Sequence, residues 1–140
     1  MIEKNCVTVN AKSKTMIKEA FVSFEVARLL KEKGFCEKTI PFYEGNGKFC
    51  SRIGNVCQPH DWNNDRFVFF SAPTHQMAMG WLREEKGVDC FIEVSDITAR
   101  PRKYYTIIWD IDNKSYIIDL FETFEEAVEA ALKYSLENLI

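Results

Sequence analysis

The sequence predicts an α+β fold, a helix–sheet sandwich in which a mostly antiparallel sheet of about five strands carries three helices. Three stretches repeat apolar residues at helical spacing behind a hydroxyl residue, at Ser23, Thr74 and Thr123. Strand-like runs arrive mainly as hairpins, around Gly45-Asn46-Gly47 and Asp112-Asn113, and hairpins build antiparallel sheets. The 140 residues suit a single domain spanning the whole chain.

The first helix is expected from Ser23, a good N-cap, through Val26, Ala27, Leu29 and Leu30 to Lys33, with an earlier start near Thr15 as the alternative. Gly34 stops it, and Phe35 is placed to fold back on the last turn. Residues 1–14 show no strong period and receive no assignment. The runs Thr39–Glu44 and Lys48–Ile53 flank Gly45-Asn46-Gly47 as a hairpin, and Pro41, which has no N–H for a ladder, puts the first of them at a sheet edge. Residues 54–65, rich in Asn, Gly, Pro and Asp, read as a loop.

The strongest structural signal runs from Arg66 to Val94. A strand at Phe67–Phe70 precedes Ser71-Ala72-Pro73-Thr74, a helix from His75 to Lys86, a stop at Gly87 and a strand from Val88 to Val94. Met77, Ala78, Trp81 and Leu82 share one face of that helix. Gly80 falls on its polar side as a surface glycine, and His75, in the first turn, reads as a solvated group. Lys103–Asp110 and Ser115–Leu120 form a second hairpin. It is apolar on both faces, with Tyr105, Ile107 and Trp109 on one and Tyr104 and Ile108 on the other, which two covering layers, or one layer and a partner, could bury. Thr123-Phe124-Glu125-Glu126 is a capping box opening a final helix, on which Glu129 and Lys133 form a solvent-side pair.

Composition narrows the function classes. The net charge of −3 gives no general attraction to phosphate backbones or anionic membranes. No run reaches the ~18 apolar residues of a spanning helix. The opening Glu3-Lys4-Asn5 lacks the apolar core of an export signal, so a cytoplasmic protein with no membrane partner is expected. The five cysteines are then reduced thiols, mostly small apolar fillers.

Chemistry-bearing patterns are sparse. Cys50, Cys57 and His60 have a Cys-x6-Cys-x2-His spacing, a candidate zinc site if Asp61 or Cys36 supplies a fourth ligand, or a thiol enzyme if a cysteine meets a histidine in space. Asp110-x-Asp112-Asn113 opens like a calcium loop but fails at Ser115 and Phe121, where glycine and glutamate are needed. Gly45-Asn46-Gly47 lacks the third glycine and the helix of a dinucleotide loop. Arg100, Arg102 and Lys103, followed by Tyr105 and Trp109, are candidates for contact with a protein partner or with nucleic acid.

Three segments together resemble small uncharacterised proteins encoded by phages and integrated mobile elements of gut bacteria. They are Val26-Ala27-Arg28-Leu29-Leu30-Lys31-Glu32-Lys33-Gly34-Phe35 behind Ser23; Ser71-Ala72-Pro73-Thr74 with Ala78 and Trp81-Leu82-Arg83-Glu84; and Thr123-Phe124-Glu125-Glu126-Ala127. The likeness covers roughly two-thirds of the 140 residues and leaves out 45–65; Gly80 departs from the longer polar residue expected there. It implies a genomic setting and a shared fold, without an activity. The expectation is a non-enzymatic accessory module that binds a protein partner or itself and needs no cofactor. A nucleic-acid module using residues 100–105 and a thiol or zinc enzyme are the alternatives.

Overall fold

The structure, a computed structural model, describes residues 18–55 and 57–140. Helix α1 (Phe24–Glu32) leads to strands β1 (Phe42–Glu44) and β2 (Phe49–Cys50), a 3-10 turn (Trp62–Asn64) and β3 (Phe69–Ser71). Helix α2 (His75–Lys86), strands β4 (Asp89–Val94), β5 (Tyr104–Trp109) and β6 (Ser115–Phe121), and helix α3 (Phe124–Asn138) complete it. The expected α+β class holds, with three helices among the described residues, but the strands form two antiparallel three-stranded sheets, β2-β1-β3 and β4-β5-β6. Helix α2 intervenes and packs on β4, so β4 does not continue beside β3.

The helix ends follow local chemistry. Ser23, Thr74 and Thr123 accept from the backbone N–H groups of Val26, Met77 and Glu126 at 3.2, 3.1 and 3.1 Å, satisfying donors that a helix start leaves unpaired. Glu126 reaches back one residue further than a capping box requires and accepts from Glu122 N–H at 3.2 Å. Residues 20–22 are not helical: Val22 N–H donates to Pro73 O and His75 N–H to Ala20 O, so this segment runs beside Thr74. At the other end of α1, Phe35 N–H donates to Leu30 O, and the buried Phe35 ring meets Trp81 edge-on at 5.5 Å.

Pro41 does not mark an edge. β1 lies in the middle of its sheet, and Pro41 precedes its first residue, where the missing N–H removes no ladder bond. Its carbonyl accepts from Ala72 N–H and Thr39 Oγ1 instead. The expected loop at 54–65 contains an anchor that composition hides. Trp62 is buried, stacks on Phe42 at 4.2 Å and donates its indole N–H to Thr39 O at 2.7 Å. The main core joins the three helices to the second sheet through Leu30, Leu82, Ile108, Val128, Leu132 and Leu136. The uncertain stretch 1–14, the possible start at Thr15 and Cys6 lie outside the described residues.

A Cβ at Gly80 would meet only Arg83 Nη2, at 3.6 Å. Gly80→Ala should therefore gain about 0.5–1 kcal/mol and raise the melting temperature by a few degrees. Gly87, at φ 69° with Ile111 3.3 Å from its Cβ position, should lose stability in Gly87→Ala. Paired calorimetric melts check both; a less stable Gly80→Ala would contradict the surface-glycine reading.

Candidate functional site

The second sheet has two unequal faces. Cys90 and Ile92 of β4, Thr106 and Ile108 of β5, and Tyr116 and Ile118 of β6 turn toward α3 and the core. Because side chains alternate along a strand, the other set points away, and no element among the described residues covers it. Strand register arranges it in rows: Asp89, Trp109 and Ser115; then Phe91, Ile107 and Ile117; then Glu93 and Tyr105. β6 bulges between its pairings with Thr106 and Tyr104, which sets the exposed Asp119 and Leu120 beside Tyr105. Phe91 is 50% exposed, Trp109 41% and Ile117 65%, although apolar side chains of this size normally seek burial.

This face gathers two of the sequence candidates, Tyr105 and Trp109. The basic ones are held otherwise. Arg100 donates through Nη1 to Ile97 O and Ala99 O at 2.9 and 2.8 Å within its own loop, Lys103 pairs with Glu122, and Arg102 is exposed beyond the end of the sheet. Tyr105 donates its hydroxyl to Glu93 at 3.1 Å, and that bond to a carboxylate holds the phenol pKa above its ordinary value. Phe91 and Ile117 were missed in the sequence, though the alternation of β4 and β6 carries their signal.

The zinc or thiol candidates are not brought together. Among the described residues no group of three or more His, Cys, Asp or Glu side chains is placed to hold a metal ion. His60 Nε2 lies 2.9 Å from Asp65, while the Cys50 and Cys57 thiols turn to the carbonyls of Lys48 and Ser51. Burial, assisted by Glu44, raises the Cys50 thiol pKa, away from a reactive thiolate. Of the four described cysteines only Cys90 packs against the core, half-buried beside Ser135; Cys36 and Cys57 are exposed and Cys50 is half-buried.

His75 departs most from expectation. It is 7% exposed, and its Nε2 donates to Glu129 Oε1 at 2.9 Å. Ser23 N–H donates to the same oxygen at 2.7 Å, and Ser23 Oγ to Glu129 Oε2 at 2.9 Å. Glu129 therefore does not pair with Lys133, which turns to Glu25 at 2.8 Å. The carboxylate stands between hydroxyl and imidazole, whereas a nucleophile–base pair needs the imidazole on the hydroxyl; the group is a structural clasp. Burial alone would raise the Glu129 pKa, but the bonds from His75 and Ser23 outweigh it and leave the pKa below the ordinary glutamate value.

Comparison with protein-family models, curated proteins and solved structures gave no match. Among the described residues no helix is long and apolar enough to cross a membrane.

Removing the charge from Glu129 tests the clasp. Glu129→Gln should cost about 1.5–3 kcal/mol, the range for hydrogen bonds to a charged group. A carboxyl with a lowered native pKa stabilises the fold above the unfolded value of about 4.3, and that contribution is lost as pH falls through the native value. Denaturant melts in acid should show this loss in the parent chain and its absence in Glu129→Gln; identical pH profiles would contradict the clasp.

Proposed function

We propose that the protein is a non-enzymatic accessory module that docks a protein partner on the outer face of β4, β5 and β6. One observation carries the reading: a row of apolar side chains, Phe91, Ile107 and Ile117, beside Trp109, crosses a sheet face that nothing in the described fold covers. Exposed apolar patches with an aromatic anchor and a polar rim are the usual anatomy of an interaction surface. The resemblance of the three helices to small phage and mobile-element proteins of gut bacteria supports that setting.

Nucleic acid is the weaker reading. Arg100 and Lys103 are engaged inside the molecule, and Glu93, Asp89 and Asp119 would repel a phosphate backbone.

A photo-crosslinking residue at Ile117, in the full chain produced in gut bacteria, should give an adduct of one defined mass with a second protein. The same residue at Glu84, exposed on α2, should not. No adduct at Ile117, or the same set of adducts from both positions, would overturn the docking reading.

A further inference from the structure

We propose that the occupant of this face is a basic amphipathic helix of another protein, an inference that rests on the docking reading and specifies its partner. The first ground is charge. Asp89 stands at one end of the face, and Glu93 and Asp119 at the other, with Phe91, Ile107 and Ile117 between them. None of the outward positions of the three strands is lysine or arginine. Of the cations next to the strands, Lys103 is already paired with Glu122, Arg102 is exposed past one end of the strands, and Lys114 is exposed at the other end, in the turn before Ser115 where its backbone N–H bonds Asp110. A second copy of the chain would set carboxylates against carboxylates, whereas lysines or arginines beside an apolar stripe would complement both ends.

The second ground is shape. On the inner face the 15 residues of α3 cover these same three strands. The outer face has the same extent, so one helix of about four turns is enough to cover it, with its apolar stripe along Ile107 and Trp109. Three strands 4.7–4.9 Å apart give a footprint roughly 15 by 20 Å, below the ~800 Å² per partner of a standard interface. Binding should accordingly be micromolar and should weaken with salt.

The test uses the full chain and three tryptophan-free model peptides, each a helix with the same leucine stripe, flanked by lysine, glutamine or glutamate. Trp109 is the exposed tryptophan, since Trp62 and Trp81 are each 7% exposed, so its emission reports coverage of the face. The lysine-flanked peptide should blue-shift that emission and bind about tenfold or more tighter than the glutamate-flanked one. The preference should shrink in high salt and be lost in the Glu93→Gln, Asp119→Asn double variant. Equal binding of all three peptides would overturn the basic partner while leaving the docking reading intact. A dimer in sedimentation that shields Trp109 would also overturn it, in favour of a second copy. If no peptide binds and Trp109 stays accessible, the inference fails, and crosslinking from Ile117 decides the docking reading separately.

Discussion

The carboxylate of Glu129 is the constraint on which the helical layer depends. It lies on α3 and accepts from Ser23, the N-cap of α1, and from His75, the first residue of α2. Two helix N-termini, each with the partial positive charge of unpaired N–H groups, therefore converge on one negative side chain. Apolar packing between helices tolerates sliding and rotation, but a carboxylate with bonds to both oxygens does not. The clasp fixes where α3 lies, and α3 covers only the inner face of β4, β5 and β6. Among the described residues, the outer face is thus left uncovered by the same arrangement that builds the core.

That outer face is mixed in composition. Apolar side chains occupy the middle row and Trp109, while carboxylates stand at both ends and Tyr105 is tied to Glu93. On the hidden side the requirements are stricter: Thr106 is fully buried, and its hydroxyl donates to Phe91 O. A buried hydroxyl needs such a partner.

Features set by neighbours in sequence were legible before the structure. Ser23, Thr74 and Thr123 cap helices, Gly34 and Gly87 end them at positive φ, and Gly45-Asn46-Gly47 turns a hairpin, because each acts within a few residues. The two-faced apolar pattern of β5 was visible too. What escaped depends on distant pairing. Glu129 and Lys133 look like an ideal helical pair until Ser23, 106 positions from Glu129, takes the carboxylate inward. His75 carries no local sign of burial, and the division into two sheets follows from where α2 packs. Trp62 was hidden by the polar residues around it.

Accessibility of the tryptophans tests most directly the central claim that the described fold leaves one sheet face open. Acrylamide quenching of the intact protein should divide its three tryptophans into two protected and one readily quenched, with the quenched component absent in Trp109→Phe. Uniform protection of all three, unchanged by that substitution, would mean that the face is covered in solution and would contradict the account.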